Sequence, residues 1–171
     1  MINDRRAIIQ DRLKIVLQYI GWLLVFLAIV YAGLVAIFYN GQKAHTKQEV
    51  EVQKLVKRTA ITNIDKYYHL DRGIKSYSVE GSRKNGKKAY FVYLPKRKKA
   101  YYYTADQGIS ESQVKSQFQK SYPKKNIKEI NLGWYNKQAV WEVSAKNKNG
   151  TYCYGLYTFK NGKELTFIDN L

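Results

Sequence analysis

The sequence predicts an α+β fold that follows a membrane-spanning helix. Three observations support this prediction. Residues 15–39 form a run of 25 without a charged side chain. Two later stretches place apolar residues four positions apart, which is typical of amphipathic helices. Each of these stretches precedes segments in which apolar and polar residues alternate between turn sequences, as expected for antiparallel strands.

The composition excludes several classes of protein. The 171 residues include 30 Lys+Arg and 13 Asp+Glu, which gives a formal net charge of +17. A single cysteine cannot form an intramolecular disulfide, and two histidines without a cluster of ligand residues predict no zinc site. Because no catalytic or cofactor-binding motif is present, we expect a protein that is not an enzyme and that holds no cofactor or metal. The charge predicts an anionic partner or surface.

The uncharged run of residues 15–39 predicts a transmembrane helix. At about 1.5 Å per residue it is about 37 Å long, which exceeds the hydrocarbon core of about 30 Å. Tyr19, Trp22 and Tyr39 lie towards its ends, where aromatic rings favour the membrane interface. A buried core helix and a cleaved signal peptide are the alternatives, but the apolar part of a signal peptide is only about 7–15 residues long.

Charge and length predict the orientation of this helix. Residues 1–14 contain four basic side chains, whereas the 15 residues after the span contain three, which weakly favours a cytoplasmic N-terminus. The long segment that follows can be exported regardless of its own charge. We therefore expect a single-pass protein of the cell membrane with a cytoplasmic tail at 1–14 and an extracytoplasmic C-terminal domain.

Small residues recur within the span at helical spacing. Ala28, Ala32 and Ala36 are four apart, so they share one face and predict a contact with another membrane helix. The alternative is that alanine is simply common in membrane helices.

The first predicted folded unit covers residues 46–105. A helix is predicted over 46–70, and strands are predicted over 74–80, 88–94 and 100–104. Asn85-Gly86 supplies a hairpin turn, and Pro95 ends the second strand because it lacks a backbone donor. The helical stripe consists of Val52, Val56, Ala60, Ile64 and Tyr68, with Leu55 beside it.

The second predicted unit, residues 106–171, repeats this order. Ser110 and Gln113 have the spacing of a capping box at the start of a short helix that Pro123 ends. Four strands are predicted, at 127–134, 138–145, 151–159 and 163–169, separated by turns that contain asparagine. Because units of about 60 residues are marginally stable alone, we expect the two to share an interface.

One basic cluster is a candidate binding site. Lys96, Arg97, Lys98 and Lys99 follow Pro95 in a turn, next to three consecutive tyrosines. Basic residues beside aromatic ones also occur in nucleic-acid-binding proteins, but the anchor and the expected export argue against such a partner. The cluster instead predicts binding of teichoic acid or anionic lipid. The alternative is a solvated surface without a ligand.

Six further residues have side chains that could take part in binding or chemistry. Trp134 and Tyr135 flank a turn, where a partly exposed aromatic pair predicts a protein contact; a core position is the alternative. Cys153 is expected to be a buried, unreactive thiol. His45 and His69 lack a second ligand at metal-binding spacing. The role of Ser110 as a helix cap accounts for that side chain without any nucleophilic function.

Seven short segments of the folded part occur together in a fixed order. They are Ser78-Val79-Glu80-Gly81, the turn at Gly86, Ala89-Tyr90-Phe91-Val92, Leu94-Pro95, Gly108-Ile109-Ser110-Glu111, Val140-Trp141-Glu142-Val143 and Asn161-Gly162-Lys163. In these segments and their order the chain resembles the YpmB/TseB-like proteins, single-pass membrane proteins of Gram-positive bacteria that are described as cell wall elongation regulators. The resemblance begins near residue 46 and reaches the end of the chain.

The resemblance implies a fold and a function. It implies two PepSY-like or cystatin-like units, and a non-catalytic regulator that binds a penicillin-binding transpeptidase at the outer membrane face. The sequence departs from the family in charge, because residues 40–171 retain 26 basic and 11 acidic side chains, a net of +15. Two alternatives remain open: a basic surface module that binds wall polyanions, and a PepSY-type inhibitor of a peptidase or hydrolase, for which only the fold argues.

Overall fold

The computed structural model describes residues 2–169, except for the side chains at 2–11, 13–16 and 38–47. The chain divides into two compact units, Met1–Lys47 and Gln48–Leu171. Helix α1 runs over Ile2–Val56. Within the first unit, Leu17–Ile37 is long and apolar enough to cross a membrane, and its side chains are not buried by other parts of the protein. The predicted interface residue Tyr39 lies outside the described side chains.

The second unit contains two four-stranded antiparallel sheets and helix α2 (Glu111–Ser121). The first sheet has the order β1-β2-β3-β4 and the second the order β5-β6-β7-β8, so each is a simple meander. The predicted α+β class is confirmed. The strands are β1 (Ile61–Asp71), β2 (Lys75–Arg83), β3 (Lys88–Leu94), β4 (Lys99–Thr104), β5 (Asn126–Tyr135), β6 (Gln138–Lys146), β7 (Tyr152–Thr158) and β8 (Glu164–Ile168).

The prediction of a helix over residues 46–70 is wrong in its second half. The helix ends at Val56, and β1 occupies Ile61–Asp71. Thr59 ends the helix locally, because its hydroxyl donates to the carbonyl oxygen of Val56 at 2.7 Å and accepts from the Ile61 N–H at 3.2 Å. The residues that follow are rich in β-branched and aromatic side chains, which favour a strand. The four-residue spacing through Tyr68 is therefore coincidental.

The predicted hairpin turns form as expected. Gly86 has φ +75° in the turn between β2 and β3, a conformation that glycine adopts without strain. Between β5 and β6, Asn136 and Lys137 both have positive φ, 45° and 66°, as a type I′ turn requires. These turns set the antiparallel register on which the surfaces described below depend.

The first sheet is covered on both faces. On one face, Val52 and Val56 of α1 pack against Val79, Phe91 and Tyr93. Tyr93 also donates to the Glu51 carboxylate of this helix at 2.6 Å. β3 is therefore buried along its length after Lys88, in accordance with its nearly continuous apolar sequence.

The other face of the first sheet joins the core of the second. Tyr90, Val92 and Leu94 share one apolar cluster with Trp141 of β6 and with Phe118 of α2. The expected shared interface is present in the structure. Because residues 48–171 form one compact unit by their contacts, a division into PepSY-like units at 46–105 and 106–171 stays a prediction.

Candidate functional site

The basic cluster Lys96–Lys99 lies on an exposed turn. Pro95 begins a short 3₁₀ turn, and Lys98 closes it in the left-handed region, with its N–H donating to the Pro95 carbonyl at 3.1 Å. All four side chains are exposed. Among the described residues, none of their cationic groups lies within 4.0 Å of a carboxylate. The turn therefore presents four uncompensated positive charges, and their role in binding polyanions stays a prediction.

A groove lies at the other end of β4. It encloses about 400 Å³ and is lined by Tyr103, Asp106, Gln107, Ala139, Phe159 and Lys160. Two aromatic rings line it, those of Tyr103 and Phe159, whose centroids lie 5.1 Å apart. A hydrogen bond from the Thr104 side chain lowers the pKa of Asp106, so this carboxylate is charged at neutral pH. Since its lining residues come from distant parts of the sequence, no sequence pattern indicated this groove.

Trp134 and Tyr135 are placed differently from each other. The Trp134 ring is 4% exposed and stacks on Tyr101, with centroids 4.1 Å apart and an interplanar angle of 19°. Tyr135 is half-buried against the small cluster of Leu70, Val140 and Leu156. A partner contact by this pair stays a prediction, for which Tyr135 supplies the accessible side chain.

The three alanines of the predicted membrane span are exposed on one face. Ala28, Ala32 and Ala36 succeed one another at four-residue intervals in α1, and none is covered in the described part of the chain. Their spacing leaves room for a second helix to approach closely. A role as a helix contact stays a prediction.

A network of charged side chains ties the first sheet to the start of α2. The Tyr68 hydroxyl lies 2.6 Å from the Glu111 carboxylate and 3.1 Å from that of Glu80. Lys66 donates to Glu111 at 2.7 Å, and Lys88 donates to Glu80 at 2.6 Å. The position of Glu111 in the first turn of α2 also suits the positive end of the helix dipole. No sequence pattern indicates this network, because the apolar spacing predicts a helix over Lys66 and Tyr68.

The charges and protonation states in this network are those expected of residues that stabilise the fold. Burial and the two neighbouring carboxylates raise the pKa of Tyr68 far above its usual range, so its hydroxyl remains protonated and serves as a donor. Hydrogen bonds to Glu80 and Asp65 raise the pKa of Lys88 to about 12. With these charges compensated, the residues hold each other in place.

The remaining candidate residues have structural environments. Cys153 is fully buried, its Sγ lies 3.4 Å from the Ala145 carbonyl oxygen, and burial raises the pKa of the thiol. Ser110 caps α2 and forms the predicted capping box with Gln113. The His69 ring packs on Tyr77 at 4.8 Å, whereas the His45 side chain lies outside the described ones. The described residues contain no group of three or more His, Cys, Asp and Glu side chains suited to hold a metal ion.

No family model matches the chain, whereas a curated relative and a solved structure resemble it. The chain is 28% identical over 149 residues to the probable cell wall elongation regulator TseB of Bacillus subtilis, covering 85% of this chain and 91% of that protein. Its fold is similar to that of the YpmB protein from Bacillus subtilis, with a TM-score of 0.58, 26% identity and coverage of 70% of this chain and 94% of the other. The resemblance to the YpmB/TseB-like family is thereby confirmed.

Proposed function

We propose that the chain is a non-catalytic, membrane-anchored regulator of cell wall elongation that binds a penicillin-binding transpeptidase at the outer face of the membrane. One observation carries the proposal: the similarity to a probable cell wall elongation regulator extends over 91% of that protein. A match of this extent includes the folded strands as well as part of α1. It therefore supports a shared overall role more strongly than a shared fold alone would.

The proposed topology follows from the apolar helix. The tail at residues 1–14 lies in the cytoplasm, residues 15–39 cross the membrane, and the two PepSY-like units at 46–105 and 106–171 lie outside. An anchor confines the regulator and a membrane-bound synthase to one plane, which raises their effective concentration for each other. A weak protein–protein interface is then sufficient for regulation.

A non-catalytic role is supported by how the half-buried and buried acidic side chains are engaged. Glu80 and Glu111 are hydrogen-bonded to lysines and Tyr68, and Glu142 forms an ion pair with Arg72. Pairing of this kind holds the carboxylates in fixed positions, and we assign them a structural role.

The test is crosslinking of the full-length protein in living cells, followed by identification of the proteins that co-purify. A matched version carries an unrelated transmembrane helix in place of residues 15–39. Enrichment of a penicillin-binding protein with both versions is the expected result, and it assigns recognition to the folded part. Enrichment that is lost with the exchanged helix assigns it to the face of Ala28, Ala32 and Ala36. If neither version enriches a wall enzyme, the proposed function is wrong.

A second candidate function is a surface module that binds wall polyanions, and the four uncompensated charges of Lys96–Lys99 favour it. Electrostatic binding to teichoic acid or anionic lipid weakens steeply with salt. Purified full-length protein in nanodiscs of zwitterionic lipid is therefore titrated with teichoic acid at low and at high ionic strength. Absence of binding at low salt removes this candidate. An inhibitor of a peptidase or hydrolase remains an analogy of fold, which activity assays with added protein would test.

A further inference from the structure

In the described part of the chain, the outer edge of β4 has no strand beside it. β4 is the last strand of the first sheet, and no other strand of residues 2–169 pairs with its second side. Ala100 is exposed and residues 101–104 are half-buried, whereas the neighbouring β3 is buried almost throughout. An accessible edge of this kind presents unpaired backbone donors and acceptors to which another chain can pair.

The sheet register identifies the backbone groups at this edge. In the β2–β3 hairpin, Arg83 N–H donates to the Lys87 carbonyl at 3.0 Å, so this pair is one of the hydrogen-bonded pairs. Hydrogen-bonded and non-bonded pairs alternate along antiparallel strands, and the β2–β3 and β3–β4 registers contain no shift. The odd-numbered residues of β3 therefore bond to β2 and the even-numbered ones to β4. Tyr101 and Tyr103, which lie opposite Val92 and Tyr90, bond inward.

It follows that Ala100, Tyr102 and Thr104 direct their N–H and C=O groups outward. One of these groups confirms the assignment, because the Thr104 N–H is bonded to the side-chain oxygen of Gln107 at 2.9 Å rather than to β3. The N–H and C=O groups of Ala100 and Tyr102 remain for a partner. They lie between the basic cluster Lys96–Lys99 at the start of the strand and the groove beside Tyr103 at its end.

We propose that β4 is a docking edge for an extended acidic segment of a protein partner, which adds a strand to the first sheet. The backbone groups of Ala100 and Tyr102 supply the main-chain hydrogen bonds. The cluster Lys96–Lys99 receives the acidic side chains at one end of the segment. A side chain of the added strand beside Tyr103 points to the same face as that tyrosine and enters the groove of about 400 Å³.

Charge and backbone chemistry favour an acidic peptide segment over the two alternatives, a second copy of the chain and a teichoic acid polymer. A second copy of the chain carries the same excess of positive charge, +15 over residues 40–171, so two copies repel each other, and lysines at a sheet edge oppose self-pairing. A teichoic acid polymer neutralises the same charges but has no amide backbone to complement Ala100 and Tyr102. The acidic peptide segment satisfies both features. This inference rests on the proposed function only in taking the partner to be a protein.

The test uses the full-length protein in living cells with two pairs of variants. Ala100→Pro removes the outward N–H and fills the edge with a ring, whereas the bonds from β4 to β3 are unaffected; Ala100→Ser is its control. Lys96→Gln, Lys98→Gln and Lys99→Gln together remove three of the four positive charges of the cluster. Their control makes the same charge change on α2 and the loop after it, with Lys115→Gln, Lys120→Gln and Lys124→Gln. Thermal unfolding establishes that each variant is folded.

A photocrosslinking amino acid at position 100 then identifies what lies beside the edge, with Tyr152, exposed on the second sheet, as the control position. We expect a crosslink from position 100 to an acidic segment of one protein, and at least a tenfold loss of that protein's co-purification with Ala100→Pro and with the Lys96–Lys99 variant. The controls at 100 and on α2 retain it.

Several outcomes overturn the inference. These are unchanged co-purification with a folded Ala100→Pro, no protein crosslinked from position 100, and a crosslinked segment without acidic residues. Binding of purified teichoic acid that depends on Lys96–Lys99 but not on Ala100, together with no protein crosslink, assigns the surface to a polyanion instead. The failure of the proposed function is distinguishable: an acidic segment of a protein unrelated to wall synthesis supports the docking edge and contradicts that function.

Discussion

The buried hydroxyl of Ser76 accepts a hydrogen bond from the backbone N–H of Trp134 at 3.0 Å. The same hydroxyl donates to the carbonyl oxygen of Leu70 at 3.1 Å. Ser76 lies in β2 of the first sheet and Trp134 in β5 of the second, and the serine is fully buried. The two sheets approach so closely here that a Cβ on Gly133 would lie 2.3 Å from the Leu70 Cβ. One side chain thus satisfies a backbone group in each sheet where water is excluded.

Replacement of Ser76 by alanine is predicted to destabilise the protein by about 1–3 kcal/mol, because it leaves a buried donor and a buried acceptor unpaired. The measurement is urea unfolding of the full-length protein in detergent, with tryptophan fluorescence as the signal that monitors unfolding. Ser78→Ala is a matched control in the same strand. Ser78 is equally buried, but its hydroxyl has no hydrogen-bond partner among the described residues, so its removal is predicted to be neutral or stabilising. Equal costs for the two substitutions would contradict this account.

The contact between Ser76 and Trp134 also marks how far the sequence can predict the fold. Local signals placed the turns at Gly86 and Asn136 and the capping box at Ser110 correctly, since each depends on neighbouring residues alone. The sheet junction has no local signal, because it joins residues 58 positions apart. The sequence mispredicts the end of α1 for a related reason. The apolar spacing through Tyr68 fits a helix, whereas the pairing of β1 with β2 makes these residues a strand.

The candidate sites also differ in whether the local sequence predicts them. The basic turn at Lys96–Lys99 is contiguous in sequence, so the sequence alone predicts it. The edge of β4 and its groove, in contrast, require the sheet order and the approach of Phe159 to Tyr103, which no local pattern encodes. The network of Lys66, Tyr68 and Glu111 likewise joins residues more than 40 positions apart.

Two buried tryptophans provide a second prediction. Trp141 donates from its indole nitrogen to the Ile109 carbonyl at 2.9 Å, whereas the indole N–H of Trp134 has no partner among the described residues. Substitution by phenylalanine removes similar volume in both cases, but only Trp141→Phe leaves a carbonyl unpaired. We predict that Trp141→Phe costs about 1–2 kcal/mol more than Trp134→Phe, as measured by urea unfolding.

The order of these two costs is the critical result. Trp134 stacks on Tyr101, and Trp141 makes edge contacts with Tyr68 and Tyr90, so both lose aromatic contacts on substitution. A larger cost for Trp134→Phe would show that stacking outweighs the indole hydrogen bond.

The carboxylate of Asp65 provides a prediction about pH. Hydrogen bonds from Ser82 at 2.7 Å and Lys88 at 3.0 Å lower the pKa of Asp65 below its ordinary value of 3.8. A folded-state pKa below the unfolded value contributes stability above pH 4, and this contribution is lost as the pH falls through the folded pKa. The side chains of Lys88 and Asp65 are partly exposed, so this contribution to the free energy of unfolding is below about 1 kcal/mol.

Asp65→Asn isolates this contribution from those of the other acids. Urea unfolding between pH 2.5 and 7 is predicted to show the variant less stable than the parent at pH 6, with the two curves converging as the pH falls below the ordinary value of 3.8. A difference that stays constant over this range would mean that the contribution of Asp65 does not depend on its charge.

The single thiol of the chain reports on opening of the second sheet. Cys153 is fully buried in β7, and burial raises the pKa of its thiol, so both access and ionisation oppose its reaction. We predict that a thiol reagent at pH 8 labels the native full-length protein at least a hundredfold more slowly than the protein in urea. Since no other cysteine is present, each labelling event is assigned without ambiguity.

Ser112→Cys, on the exposed side of α2, is the control and reacts rapidly in the native state. If the reaction requires opening, the labelling rate of Cys153 must rise with Ser76→Ala, which weakens the junction between the sheets, and must not rise with Ser78→Ala. Rapid labelling of the native parent would instead require a path to the thiol that the closed sheet does not provide.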